Sequence, residues 1–425
     1  MVTESLADRH RAVMPAWLTT YYDEPLAMAD ASGRRVTARD GRRYLDFFGG
    51  ILTTSVGYDI PEIRERVQRQ LASGLVHTST LYLIESQVAL AERIAGLVGI
   101  PDPAVFFTNS GTEANETALL AATCHRGSGH VVALRDSYHG RTYGAMSVSG
   151  LDGWQASTLS PLRVTWAGNG RDGEVPDLVA DLAHRLDDAD AAPAALIVEP
   201  VQGLGGFFAP PSGLLAGYQE VVAARGGVLI CDEVQTGWGR TGSHFWGYQA
   251  QGIQPDLVTF AKGVANGFPL GGVVGRRQLL DSVGGKSIST FGGNPLSTTA
   301  ALATIDYLLD HDVQANADRV GRMVLDGLRL LTADNPRVTD VRGYGLLVAV
   351  EIGTGTDEDR SAAARVLARC REHGLLVGLG GKSGNVLRIA PPMTVTPDEA
   401  TEALDILGQA LVAEAPVGAA AGGVR

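Results

Sequence analysis

Apolar residues follow two rhythms along this chain, and the change from one to the other outlines its architecture. From Pro61 the positions Ile63, Val67 and Leu71 recur at helical spacing, and a second helical pattern runs from Glu85 to Leu97. The middle of the chain instead carries short, continuous apolar runs: Ala104–Thr108, His130–Leu134, Ala195–Glu199, Gly227–Asp232 and Leu257–Phe260. Several end on polar residues, and helix-like stretches such as 211–224 lie between them. Runs without alternation are buried on both faces, so the pattern predicts an α/β fold whose largely parallel sheet is covered by helices on each side. Ligands of such sheets bind beyond the carboxyl ends of the strands, where the polar residues fall.

On either side the pattern changes. Residues 26–29, 34–38 and 44–47 read as a small meander between glycine turns. The chain after Ala301 reads as helical to Leu331, then as short strands at 345–352 and 386–390, and as a final helix over 397–413. The last ten residues, rich in Ala and Gly, read as a frayed end. The expected division is an N-terminal segment (1–60), a large domain (61–310) and a C-terminal part (311–425), with the first and last forming one smaller α+β domain.

Composition narrows the function classes. Hydrophobic residues make up 45% and charged residues 19% of 425, enough for a large core. A formal charge of −12 argues against nucleic acid as a partner, because phosphate binding needs surplus cations. The longest apolar stretches fall short of the ~20 residues a membrane helix needs, and the N-terminus does not read as a signal peptide. Cys124, Cys231 and Cys370 lie far apart with no CxxC pair, so no metal site is expected. These features lead us to expect a cytoplasmic protein. Lysine changes the picture most. The chain has 32 arginines but only Lys262, Lys286 and Lys382. A lysine within an apolar, glycine-rich stretch then calls for a reason, since guanidinium cannot serve as a neutral amine nucleophile.

Three strand ends carry candidate chemistry. Ser110-Gly111-Thr112-Glu113 turns a strand into a helix and offers free N–H groups, a hydroxyl and a helix dipole, which together make a phosphate cradle. The same residues also read as an ordinary N-cap. Asp232 ends the run Val-Leu-Ile-Cys, where it could hold a pyridinium nitrogen protonated, or merely cap the next element. Lys262 follows Leu257-Val-Thr-Phe-Ala; desolvation there would lower its pKa and suit it to form a Schiff base, and the scarcity of lysine weakens, without removing, the alternative of a lysine snorkelling to the surface. Together the three describe one cofactor, pyridoxal 5′-phosphate (PLP), which needs a phosphate cradle, an acid and an amine.

The chain resembles the class III (ω-type) aminotransferases of PLP fold type I over nearly its whole length. The resemblance rests on Tyr44-Leu-Asp-Phe-Phe-Gly-Gly, Phe107-Thr-Asn-Ser-Gly-Thr-Glu-Ala-Asn, Tyr138-His-Gly-Arg-Thr and Glu199-Pro-Val-Gln-Gly. It continues through Cys231-Asp-Glu-Val-Gln-Thr-Gly-Trp-Gly-Arg-Thr-Gly, Leu257-Val-Thr-Phe-Ala-Lys-Gly, Thr290-Phe-Gly-Gly-Asn-Pro and Leu387-Arg-Ile-Ala-Pro-Pro. His77-Thr-Ser-Thr and Gly242-Ser-His-Phe-Trp-Gly place it nearest the alanine–glyoxylate aminotransferase 2-like branch.

The resemblance implies a transaminase that moves an amino group from an amine or ω/β-amino acid to a 2-oxo acid by a ping-pong route. It implies that Lys262 forms the imine with PLP and shuttles the proton, and that Asp232 meets the pyridine nitrogen. Ser110, Gly111 and Thr112 would bind the phosphate. Tyr138 would stack on one face of the ring, with His139 also among the cofactor residues, and Val234 would cover the other. Gln235 would reach the phenolic oxygen, and Thr290 the phosphate bound by the neighbouring subunit, making a homodimer with shared sites. Arg388 would grip a substrate carboxylate, with Glu199 as its partner when none is present. Gly57-Tyr58 departs from the Gly-His pair of many relatives, and Met393 from a leucine; the first leaves the amine substrate open. A decarboxylating transaminase or an aminomutase would fit the same residues, and a silent PLP-fold binding protein is the alternative from another class.

Overall fold

The computed structural model describes residues 5–414, so the expected frayed C-terminus lies outside the described residues. At its centre is a seven-stranded sheet. Its order is Pro103–Thr108, Gly271–Arg276, Leu257–Phe260, Val228–Asp232, Ala195–Val198, His130–Leu134, Arg163–Ala167. The last five strands pair in parallel, whereas Gly271–Arg276 is antiparallel to both neighbours. The continuous apolar runs are buried on both faces as their pattern requires, with His130–Leu134, Ala195–Val198, Val228–Asp232 and Leu257–Phe260 buried throughout.

The helix Gly111–Arg126 crosses this sheet. The Ser110 hydroxyl caps it by accepting from the Glu113 N–H, and Gly127, at φ 62°, ends it. Its inner face is mostly alanine (Ala114, Ala118, Ala121, Ala122), so the helix can lie close against the strands. Two further four-stranded sheets flank this layer. One joins Met28–Ser32, Arg35–Ala38 and Arg43–Asp46 to the distant Leu375–Leu376; the other joins Val338–Tyr344, Leu347–Ile352, Val386–Ile389 and Gly378–Gly380. The first therefore ties the N-terminal meander to the C-terminal region.

Three expectations need correction. The helix expected to run unbroken to Leu331 is two helices, Pro295–Asp310 and Val313–Thr332, separated where Asp312 adopts φ 51°. The strands Arg163–Ala167, Gly271–Arg276 and Val338–Tyr344 were not foreseen. The first strand of the meander begins at Met28 rather than Leu26.

Candidate active site

The carboxyl ends of the parallel strands gather the residues singled out in the sequence. Asp232, the last residue of the central strand, is buried and held by three donors. Its Oδ2 accepts from Asn115 Nδ2 at 2.7 Å and lies 2.8 Å from His139 Nδ1; its Oδ1 accepts from the Val234 N–H at 3.1 Å. Asn115 is in turn fixed by the Thr259 hydroxyl at 2.7 Å and donates to the His139 carbonyl. These donors satisfy both carboxylate oxygens and fix the orientation of the side chain.

Its sequence neighbour Glu233 points elsewhere. It accepts from Thr236, Gly247 N and Tyr248 N, and burial pushes its carboxyl up to about 7. The acidic pair thus divides into one residue that faces the site and one that anchors a loop.

Lys262 follows the strand Leu257–Phe260 and opens a 3-10 turn with φ 46°. A residue with a side chain held in the left-handed region costs about 1–3 kcal/mol, which neighbouring structure must supply. The support is visible: Ser55 Oγ donates to the Gly263 carbonyl at 2.7 Å, and Asn266 clasps the Val56 N–H and the Gly57 carbonyl. Desolvation pulls the Lys262 amine down to about 8, a fall reinforced by the Arg388 cation and opposed by Asp232 and Glu199.

Ser110, Gly111 and Thr112 occupy the N-terminus of the long helix, where first-turn N–H groups have no partner within the helix. Ser110 has the ordinary capping role, and the N–H groups of the first turn stay free of helical partners beside it. A Cβ on Gly111 would sit 3.1 Å from both Val234 methyls, so the strand-end loop and the helix meet there without room for a side chain. Tyr138 is half-buried and packs edge-on against Trp154 at 5.4 Å; burial raises its phenol. Two buried polar atoms in this region, Gln235 Oε1 and His139 Nε2, have no protein partner. Orphaned polar atoms beside a lysine, a braced carboxylate and an open helix N-terminus fit a polar heteroaromatic phosphate. The residues present therefore fit PLP.

Arg388 lies on Val386–Ile389, buried, with its guanidinium 4.9 Å from the Phe48 ring and 5.6 Å from the Phe207 ring. It donates through Nε to the Leu379 carbonyl at 3.0 Å; desolvation lowers its pKa, and nearby Tyr21 opposes that fall. The expected Arg388–Glu199 ion pair is absent. The Glu199 carboxylate instead accepts from Tyr138 N at 2.9 Å and Gly203 N at 2.8 Å, which takes up one lone pair on each oxygen. Burial and the neighbouring Asp232 raise it to about 7, with His139 opposing. Glu199 and Arg388 interact only at longer range.

Thr290 is not among these residues. It is solvent-exposed in an irregular stretch beside exposed Ile288 and Phe291. Sequence reasoning also overlooked contributors. Asn115 could have been found, since it closes the Gly-Thr-Glu-Ala-Asn motif one helical turn from Gly111. Arg141, whose guanidinium lies over Trp17 at 5.3 Å and whose charge lowers the Tyr138 phenol, sits in the Tyr-His-Gly-Arg motif without having been given a role. Tyr21 carries no sequence signal.

The sheet, the lysine beyond a strand end and the braced aspartate define an enzyme of PLP fold type I. The chain belongs to the class III aminotransferases: the family "Aminotransferase class-III" matches residues 19–411. Relatives include the mitochondrial alanine–glyoxylate aminotransferase 2 homolog 2 of Arabidopsis thaliana, 36% identical and covering 90% of this chain and 83% of its own. The acetylornithine aminotransferase of Mycobacterium tuberculosis is 38% identical over 92% of both. Among solved structures, an amine transaminase from an uncultivated Pseudomonas species, described in its PLP-bound form, superposes with a TM-score of 0.85 at 29% identity, covering 97% of this chain and 98% of that one. Among the described residues, no helix is long and apolar enough to cross a membrane.

Proposed function

We propose that this protein is a PLP-dependent transaminase that works by a ping-pong route, with an amine or ω/β-amino acid as donor and a 2-oxo acid as acceptor. The observation that carries the reading is Lys262: a desolvated amine at a strand end, facing an aspartate braced by three donors. PLP would be held by the N–H groups of Gly111 and Thr112 at its phosphate, Tyr138 and Val234 at its faces, Asp232 at its ring nitrogen and Gln235 at its phenolic oxygen. When bound, it supplies the electron sink for breaking a bond at the substrate carbon. The Lys262 amine is neutral often enough near pH 8 to act as nucleophile and base, and its Nζ takes and returns the substrate proton. Asp232, fixed by Asn115 and His139, would present its carboxylate to the ring nitrogen.

Arg388, oriented by the Leu379 carbonyl, grips the acceptor's carboxylate. Because Glu199 is tied to backbone N–H groups, it tempers the charge of Arg388 from a distance and does not swing onto it. Arg141, stacked on Trp17 near Tyr138, offers a second cation for a donor with a distal carboxylate. We also assign a homodimer. Leu81, Tyr82, Leu83, Ile288 and Phe291 are exposed, and His77 stacks on Phe291 at 4.8 Å; exposed apolar side chains of this kind fit a subunit interface that would carry Thr290 to the partner's site.

Visible absorbance with and without added amine tests the reading. Wild type should show a cofactor band that shifts when amine is added, and Lys262→Ala should lose it. Loss of the band in Lys286→Ala or Lys382→Ala instead would overturn the assignment.

A further inference from the structure

The loop 203–208 joins Glu199 to the neighbourhood of Arg388, and its backbone is gripped from outside the site. Arg342, on Val338–Tyr344, donates Nε and Nη2 to the Gly206 carbonyl at 3.0 and 2.8 Å. Arg171, which follows Arg163–Ala167, donates to the preceding carbonyl, Gly205, at 3.3 Å, and its guanidinium lies 4.1 Å from the Phe208 ring. The two arginines come from different sheets and share one acid: Glu351 is 2.6 Å from Arg342 and 3.7 Å from Arg171. Arg342 is buried, so the pairing with Glu351 and Asp340 offsets a charge that would otherwise be costly there.

The held loop faces the site on its other side. The Gly203 N–H is one of the two donors on Glu199; the Gly203 carbonyl accepts from Arg388 Nη1 at 3.4 Å, and the Gly203 Cα is packed against the Gln235 amide. The Leu204 carbonyl accepts from Gly381 N at 2.8 Å, next to the strand that supplies the Leu379 carbonyl to Arg388. Gly206 itself has φ 100°, and a Cβ there would sit 3.0 Å from Arg342 Nη2, so the grip depends on glycine.

We infer that Arg342 and Arg171, joined through Glu351, are positioning residues that set Gly203 and thereby the register of Glu199 against Arg388 at the acid-binding end of the site. This rests on the reading of Arg388 given above. Neither arginine is among the residues proposed to touch substrate or PLP; each acts through a carbonyl of the loop. Release of the loop should move Gly203 away from Glu199 and from the Arg388 guanidinium together. The first change removes a donor that holds the Glu199 carboxyl down against desolvation. Glu199 also faces Asp232, His139, Tyr138, Lys262 and Arg388, all of which the substitution leaves in place.

The test uses the holoenzyme carrying Arg342→Met, Arg342→Lys or Arg171→Met. Single-turnover absorbance is followed for each half-reaction, and kcat/KM for a 2-oxo acid is measured across pH. Arg342→Met should raise the KM for the 2-oxo acid about tenfold while a carboxylate-free amine is processed within about twofold of wild type. The acid-side midpoint of the 2-oxo acid profile should rise, and Arg342→Lys should recover part of both effects. Arg171→Met, which releases only Gly205, should show the same pattern more weakly and serves if Arg342→Met does not fold. Equal losses in both half-reactions with an unmoved midpoint would reduce the arginines to structural links and overturn the inference. Arg388→Ala, run in parallel, separates the two ideas: if it leaves 2-oxo acid affinity intact, the reading of Arg388 fails; if it weakens affinity and Arg342→Met does not, only the positioning role fails.

Discussion

Replacing Lys262 by methionine should make the cofactor-free protein more stable, by an amount that depends on pH. Methionine keeps the length and apolar stem of lysine and removes only the amine. The amine's pKa falls from 10.5 in an unfolded chain to about 8 in the fold, through desolvation first. A lysine whose folded pKa is depressed penalises the fold wherever the unfolded chain is protonated and the folded environment resists protonation. The penalty is therefore full below pH 8, fades between pH 8 and 10.5, and is absent above. Its size is about 3 kcal/mol for a shift of this order. For a chain of this length, that corresponds to a rise in Tm of roughly 4 °C at pH 7. The left-handed backbone at position 262 is common to both proteins and cancels.

The assay is thermal unfolding of cofactor-stripped wild type, Lys262→Met and, as control, Lys286→Met, whose lysine is exposed, at several pH values from 6.5 to 10.5. A gain for Lys262→Met that shrinks towards pH 10.5, with none for the control, is the expected result. No gain at pH 7, or one constant across pH, would refute the account of a desolvated amine. The same shift makes about one-quarter of the amine neutral at pH 7.5, against about one part in a thousand for a free lysine. Stability lost at this position is what would make the proposed nucleophile available.

Further outcomes follow from the site. Asp232→Asn should keep the visible band but slow proton transfer by about 100-fold or more in single-turnover measurements, because the amide cannot hold the ring nitrogen charged; near-normal turnover would remove Asp232 from the mechanism. Arg388→Ala should cost the 2-oxo acid half-reaction about 1.5–3 kcal/mol and spare a carboxylate-free amine, and equal losses in the two would make Arg388 structural. Dimers mixed from Thr290→Ala and Lys262→Ala chains should retain cofactor at the Lys262-bearing site as wild type does; retention matching the Thr290→Ala homodimer would place the hydroxyl in its own chain.

Much of the sheet was legible in the sequence because burial on both faces leaves an unbroken apolar run, as at Ala195–Val198 and Val228–Asp232. Gly271–Arg276 escaped because half of it is glycine: its two valines make no run, and Gly271 and Gly272 face the Ser110 backbone and the Phe260 ring. The split at Asp312 escaped because the apolar periodicity continues on either side of a single left-handed residue. At the site, Lys262 stood out through the scarcity of lysine, and Asp232 through its place at a strand end. Glu199 is not paired with Arg388 here for a reason that opposite charge alone does not reveal. Glu199 has two backbone N–H groups within reach, supplied by Tyr138 and by the turn at Gly203, and a carboxylate already served by donors has less need of a cation. Tyr21 lies in a stretch without periodicity, so its approach to Arg388 could be seen only in three dimensions.

The antiparallel strand Gly271–Arg276 bears on how the protein is made. Pro103–Thr108, which leads into the proposed phosphate cradle, pairs in the sheet only with this strand, and roughly 160 residues of chain separate the two. On the ribosome the cradle strand must wait, unpaired, until everything through Arg276 has emerged. At about 5–20 residues per second that delay is on the order of ten seconds or more, with an apolar edge available to the wrong partners. The Lys262 turn lies immediately before the strand that ends the wait. Cradle and lysine are therefore brought together in one late step, and a nascent chain halted short of it would hold neither half of the site in place.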